Sequence, residues 1–251
     1  MNDMHGSVGL SGVTGADETL LTRRGSIARL GGVAAALLGG AAWKLDQDAG
    51  AASGSAEGPA AVASGLVSCV LSPEMTEGPY YLEGDKVRRD VREGRPGVAL
   101  DLRATVLDVS TCKPVRGAAV DIWHCDAGGL YSGAAANNTV GETFLRGIQR
   151  TNVRGIASFR TLYPGWYPGR TVHIHVSVYI GGNTVHTGQF FFPEQVTDAV
   201  YRTTPYNRRG ARDMLNATDP IFRNGGSRSM LRLAKSGSGY TGTITMGVQR
   251  S

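Results

Sequence analysis

Thr171-Val-His-Ile-His-Val-Ser-Val-Tyr-Ile180 reads as a single β-strand. Side chains alternate faces along a strand, so Val172, Ile174, Val176, Val178 and Ile180 form an unbroken apolar row. His173 and His175 then share the opposite face, with Cα atoms about 7 Å apart at ~3.3 Å per residue. Further strand-like runs cover residues 100–109, 118–124, 155–162, 185–192 and 241–248, most of them separated by Gly or Pro. Between the first two of these, the turn-rich Ser110-Thr-Cys-Lys-Pro-Val-Arg-Gly117 reads as a hairpin connection. Helical periodicity is weak, and only 195–202 and 208–215 have the pattern of short helices. Many short strands with turn punctuation predict an all-β sandwich of mixed or antiparallel sheets with few short helices. Any site built on the His strand would lie between that strand and the loops beside it.

Composition narrows the function classes. Hydrophobic residues make up 41% and charged residues 19% of the 251, too apolar for a disordered chain and too interrupted for a multispanning membrane protein. The 26 basic and 21 acidic residues leave a thin, scattered excess of +5. That provides no Lys/Arg stripe for a nucleic-acid backbone, so nucleic acid is not an expected partner.

The amino end reads as a delivery signal. Arg23 and Arg24 precede a small, weakly apolar run from Leu30 to Trp43, and Ala49-Gly50-Ala51 offers a cleavage point. This is the pattern of a twin-arginine export signal over residues 1–51, predicting an extracellular or cell-envelope protein. The run is shorter than the ~20 residues that span a bilayer, so stable membrane insertion is not expected. Residues 52–68, rich in Ala, Gly and Ser, read as a flexible linker, and 69–251 as the folded domain. Cys69, Cys112 and Cys125 show no Cys-x-x-Cys spacing; one disulfide with one thiol left over is expected, and the spacing leaves the pairing open.

Two imidazoles at i, i+2 on one strand face can converge on one metal ion, an arrangement also used by cupins and zinc hydrolases. The surroundings of this pair differ from those. Between Glu142 and Glu194 there is no acidic residue, so nothing local supplies the carboxylate of a zinc hydrolase or of a two-His-one-carboxylate iron(II) site. Tyrosine is the oxygen donor on offer, in Leu162-Tyr-Pro-Gly-Trp-Tyr-Pro-Gly-Arg170. Phenolate is a hard, strongly donating anion that suits a trivalent ion, and bound metal draws its pKa far below ~10. Two His with tyrosinates point to ferric iron.

Five blocks in order carry a specific resemblance: Thr76-Glu-Gly-Pro-Tyr-Tyr81, Val120-Asp-Ile-Trp-His-Cys-Asp-Ala-Gly-Gly-Leu-Tyr131, Arg146-Gly-Ile-Gln-Arg-Thr151, Gly165-Trp-Tyr-Pro-Gly-Arg-Thr-Val-His-Ile-His175 and Gln189-Phe-Phe-Phe192. The chain resembles the intradiol ring-cleavage dioxygenases, in particular the secreted branch similar to protocatechuate 3,4-dioxygenase beta subunits. The resemblance implies a non-haem iron(III) held by Tyr131, Tyr167, His173 and His175, with Tyr167 rather than Tyr163 as the second tyrosine. It implies that Tyr167 dissociates when substrate binds while Tyr131 stays, that Arg170 lies beside the substrate ring, and that Gln189 supports the site. Thr76, Pro79, Tyr80 and Tyr81 match a segment lining the pocket mouth. The implied reaction opens a small aromatic diol between its two hydroxyl-bearing carbons with O2, giving a cis,cis-muconate-type product.

Two departures are visible. Only Pro168 and Gly169 separate Tyr167 from Arg170, where the intracellular relatives carry a longer insert that shapes their pocket. The helical dimerisation region that opens those relatives is not found before Cys69, leaving the oligomeric state open. Trp123 and Phe159 are expected in the core, and His124 and His186 as surface or hydrogen-bonded histidines rather than ligands. The rival readings are a non-catalytic, secreted transthyretin-like binding module and a zinc or copper enzyme built on His173 and His175.

Overall fold

A computed structural model of the chain describes residues 69–250, so the expected signal (1–51) and linker (52–68) lie outside the described residues. Eight strands form two four-stranded layers. The first is mixed, in the order β4 (Ile156–Leu162), β1 (Ala99–Asp108), β8 (Gly239–Val248), β7 (Arg232–Ser236), with β1 and β8 parallel. The second is antiparallel, in the order β3 (Arg146–Arg150), β2 (Ala119–Trp123), β5 (His173–Ile180), β6 (Asn183–Phe191). The expected all-β sandwich is therefore the fold, and among the described residues its helices are short: α1 (Glu194–Tyr201), α2 (Pro220–Arg223) and three single 3-10 turns.

Alternation along the strands builds the core. Leu100, Leu102, Ala104 and Val106 of β1 face Val120 and Ile122 of β2 and Ile174, Val176 and Val178 of β5, all 1% exposed or less. Phe159 joins this core as expected. Among the described residues no helix is long and apolar enough to cross a membrane.

Two local expectations need correction, and two strands were not expected at all. β1 and β2 do not form a hairpin. After β1 the chain turns back on the strand's own end, where Asp108 N donates to Lys113 O at 3.0 Å and Val115 N to Val106 O at 2.9 Å, and then crosses to the other layer. Alternation says that each strand has an apolar face; it does not say whether that face lies beside the next strand or opposite it, and here burial is achieved across the sandwich. Residues 208–215 are not helical. Their polar side chains serve tertiary contacts instead: Arg212 pairs with Glu194 and Asp198, and Asp213 accepts from Gly169 N at 3.0 Å. Finally, β3 and β7 carry too many polar residues to register as strands by pattern.

The open cysteine pairing resolves to Cys69–Cys112, with Cα atoms 5.5 Å apart, and Cys125 is left as a buried thiol. The bridge anchors the start of the domain at the β1 turn. From there the chain runs along β8, where Ser72 N donates to Gly247 O at 2.9 Å. It then reaches the edge of β6, where Met75 N donates to Thr187 O at 2.9 Å, and this delivers residues 76–81 over the outer face of the second sheet.

Candidate functional site

That outer face is organised by register. Arg146 of β3 pairs with Trp123 of β2, Trp123 with His175 of β5, and His175 with Gln189 of β6. Cross-strand partners share a face, so the four side chains form one row across the sheet, with His173 one step along beside Phe191. Trp123 stacks on His175, centroids 5.0 Å apart and planes 5° from parallel. Trp123 is thus fully buried but outside the inter-sheet core: it belongs to a second cluster with Cys125 and Tyr131, against which Tyr80, Tyr81 and Tyr167 pack. On the other side of His175 lies Gly78, at φ +77°, where a Cβ would come 3.1 Å from the His175 Cε1. Only glycine adopts that backbone without strain and lets the 76–81 segment approach the ring so closely.

Two loops bring tyrosines to this row. Tyr131 is gripped along its backbone: its N–H donates to Asn137 Oδ1 at 2.8 Å, and its carbonyl accepts from Thr139 Oγ1 at 2.5 Å. The next residue is held by Arg146, fully buried, whose Nε and Nη2 donate to Ser132 Oγ and O at 2.9 and 2.8 Å. The second loop leaves β4 and packs on the first through Gly165, whose N–H donates to Asp126 O at 3.0 Å. A Cβ at Gly165 would sit 2.5 Å from the Asp126 carbonyl and 2.6 Å from that of Ala127, so the two tyrosine loops touch only because this residue has none.

The result is a convergence of the two histidines and the two tyrosines. Nε2 of His173 and Nε2 of His175 lie 3.0 Å apart, and the Tyr167 hydroxyl donates to His173 Nε2 at 3.1 Å. His173 Nδ1 donates to Thr171 O at 2.6 Å, which fixes the tautomer and turns the Nε2 lone pair into the site. The Tyr131 and Tyr167 rings stand edge to face with centroids 5.5 Å apart, and the Tyr131 hydroxyl is buried without a hydrogen-bond partner. Tyr163 lies elsewhere: its hydroxyl pairs with Thr197 Oγ1 at 2.7 Å inside the inter-sheet core.

Electrostatically the cluster is frustrated as it stands. Burial, helped by the charge of Arg170, holds His173 neutral with a pKa pushed down to about 3. Burial and the neighbouring His173 likewise push His175 well below its ordinary range. Burial pushes Tyr167 up to about 12 against the opposing pull of Arg170, and pushes Tyr131 well above its ordinary value. Neutral imidazoles and an orphaned phenol facing one point are the environment a bound cation relieves, because it turns each donor lone pair to use. At 3.0 Å apart the two Nε2 atoms are close enough that both would serve one small ion. Among the described residues no group of three or more His, Cys, Asp or Glu could hold a metal ion, and the side-chain oxygens standing against the two histidines are those of Tyr131 and Tyr167.

The remaining expected residues surround this point. Tyr80 stacks on Tyr131 at 4.2 Å and meets Tyr167 edge-on, and Tyr81 leans on Trp123 while its hydroxyl pairs with that of Tyr179 at 2.9 Å. The Thr76 carbonyl accepts from Gln189 Nε2 at 2.9 Å, while Pro79 is exposed at the rim. Gln189 Oε1 in turn accepts from Arg170 Nη2 at 2.6 Å. His124 is fully buried, bonded to Cys125 O at 2.8 Å and Thr161 Oγ1 at 2.6 Å, and His186 is bonded to Glu74 at 2.7 Å; neither hydrogen-bonds to the four converging residues. The sequence shows Arg146 only as the start of a motif block, with no role, whereas it supports the Tyr131 loop; Asp219, which pairs with Arg170 at 2.9 Å, sequence reading missed. The signal for Asp219 was present as Asp219-Pro220, a helix N-cap followed by proline at the first helical position.

A family profile described as Dioxygenase matches residues 72–215. Among solved structures, the chain is similar to the intradiol ring-cleavage dioxygenase from Tetranychus urticae, with 38% identity and a TM-score of 0.69 over 72% of this chain and 95% of that one. Among curated proteins it is similar to catechol 1,2-dioxygenase 1 of Acinetobacter lwoffii, 33% identical over 38% of this chain and 32% of the relative. It is also similar to the protocatechuate 3,4-dioxygenase beta chain of Burkholderia cepacia, 31% identical over 53% of this chain and 62% of the relative. The chain thus spans less than two thirds of the length of these curated relatives.

Proposed function

Because the chain belongs to the intradiol ring-cleavage dioxygenase family, we propose that it opens a catechol-type ring between the two hydroxyl-bearing carbons, adding both atoms of O2 to give a cis,cis-muconate-type product. The observation that carries this reading is the convergence of Tyr131, Tyr167, His173 and His175 from two loops and one strand, with the Tyr131 hydroxyl orphaned. These four would hold non-haem iron(III), which when bound takes up a catecholate through its oxygens and draws electron density from the ring so that O2 can react with it.

The chain's own residues divide the remaining work. Tyr131, fully buried and held along its backbone, is built to stay. Tyr167 sits on the more open side; iron binding would turn it into a phenolate, against the burial that otherwise keeps it protonated, and in that form its Oη would take a proton from an entering catechol hydroxyl. Arg170 presents a permanently charged guanidinium that stabilises negative charge shifting within the ring. Tyr80, Tyr81 and Trp123 form an apolar wall that limits water at the donors.

The test is oxygen uptake by iron-loaded protein against catechol, protocatechuate, hydroxyquinol and lignin-derived catechols, with the ring-opened product followed by absorbance. One O2 consumed per diol is expected. Coloured, iron-replete protein that consumes no oxygen with any of them refutes the reading, and protein that stays colourless after iron loading favours the binding-module alternative. We also infer export by the twin-arginine route, from Arg23 and Arg24 ahead of the Leu30–Trp43 run. Changing both to Lys should trap the protein inside the cell, and unimpaired secretion of that variant removes this reading.

A further inference from the structure

Asp219 lies beyond the matched family segment, yet its carboxylate accepts four hydrogen bonds beside the site. Its side chain is fully buried. Oδ1 accepts from the amides of Ile221 and Phe222 at 2.7 and 3.1 Å, capping α2. Oδ2 accepts from the Thr171 amide at 2.8 Å and from Arg170 Nε at 2.9 Å. Burial alone would raise this carboxyl, but the Thr171 amide and Arg170 outweigh it and hold the group below its ordinary range, so it is an anion.

The consequence falls on Arg170. Its Nε is held by Asp219 and its Nη2 by Gln189, and these two bonds fix the plane of the guanidinium. Its other terminal nitrogen makes no hydrogen bond among the described residues, and the side chain is 16% exposed. A chain of polar contacts therefore runs from Asp219 through Arg170 and Gln189 to the Thr76 carbonyl, tying the C-terminal region to the segment over the site. A neutral Asn at 219 could keep the cap through its oxygen, but its amide would then face two donors, Arg170 Nε and the Thr171 N–H.

We propose that Asp219 is a positioning residue for ring cleavage: it holds Arg170 from behind so that the free edge of the guanidinium meets the bound ring. This rests on the dioxygenase reading of the site. Asp219 would not touch the substrate; it would act only through Arg170.

Asp219→Asn and Asp219→Ser both retain an oxygen able to cap a helix, and neither offers Arg170 a carboxylate. In the full-length, iron-loaded protein, both should keep wild-type iron content and visible spectrum. KM should change little, whereas kcat should fall roughly 10- to 100-fold, as expected when a positioned group is displaced by about 1 Å. A purely structural role predicts instead a loss of activity that tracks lost iron or lost folded protein. The decisive measurement is the double-mutant cycle: in an Arg170→Gln background, Asp219→Asn should have almost no further effect on kcat. A wild-type kcat in Asp219→Asn, or an equal loss in both backgrounds, overturns the proposal. Should both variants fail to fold, Asp219→Glu keeps the charge but shifts it by one methylene. It should still lower kcat, and a wild-type kcat there overturns the proposal as well. Wild-type protein inactive on every catechol would remove the dioxygenase reading and this inference together; active wild type with unaffected variants removes the inference alone.

Discussion

Replacing Tyr131 by Phe separates two opposed demands on one hydroxyl. The side chain is 1% exposed and its oxygen, facing the Tyr167 hydroxyl, makes no well-formed hydrogen bond, while its ring stacks on Tyr80 at 4.2 Å. Phe keeps the stack and removes only the orphaned oxygen. An unsatisfied buried hydroxyl costs about 1–3 kcal/mol, so the metal-free variant should be more stable than the metal-free wild type by about 1–2 kcal/mol. For a domain of this size that is a rise of roughly 2–8 °C in Tm. With iron the sign reverses, because a ligand needed throughout the cycle is gone: iron retention should drop and turnover cease. Tyr167→Phe should behave the other way. Without metal it loses the 3.1 Å bond to His173, costing about 0.5–1.5 kcal/mol. With metal it should keep more iron than Tyr131→Phe, bind catechols with altered colour and cleave them slowly. Tyr163→Phe is the control: it gives up the bond to Thr197 and should leave the visible band intact. Melting curves with and without iron, metal analysis and visible spectra read all three. Destabilisation of metal-free Tyr131→Phe by more than about 1 kcal/mol would refute the orphaned-hydroxyl argument. A band bleached by Tyr163→Phe but not by Tyr167→Phe would move the ligand to Tyr163.

His124 should make the metal-free domain acid-sensitive. Burial lowers its folded pKa to about 4, so its contribution is complete above the unfolded value near 6.5 and is lost as pH falls through about 4. That amounts to about 3 kcal/mol; the buried His173 and His175 add to the same acid loss, so His124→Gln should make the stability profile shallower over this interval without levelling it, and an unchanged slope would count against the argument. Gly165→Ala should cost about 1–3 kcal/mol, since backbone carbonyls occupy the space of the new methyl. It should also weaken the visible band more than an equally destabilising core change such as Phe159→Leu, and a normal band and Tm would show that the loops need no such contact. Reducing the Cys69–Cys112 bridge, which spans 43 residues of sequence, should lower stability by about 2–4 kcal/mol, and a Tm indifferent to reductant would exclude the bridge.

The strands of the core were legible because their signal is local. Val172 through Ile180 alternates so strictly that its apolar face, and with it the shared face of His173 and His175, follows from the period of a strand alone. The ordered motifs named the family, since each block is a short run whose residues stand next to one another. Neighbourhood across the fold has no such local signature. Alternation in residues 100–109 and 118–124 looked the same whether the strands paired side by side or faced each other across the sandwich, and only packing chose the second. The row Arg146–Trp123–His175–Gln189 exists through register between four strands, and Tyr131 meets Tyr167 because Gly165 lets two loops touch. Asp219 is 49 residues from Arg170 in sequence, and what joins them is the energetic need to pair a buried carboxylate, which takes effect only once the chain has folded around it.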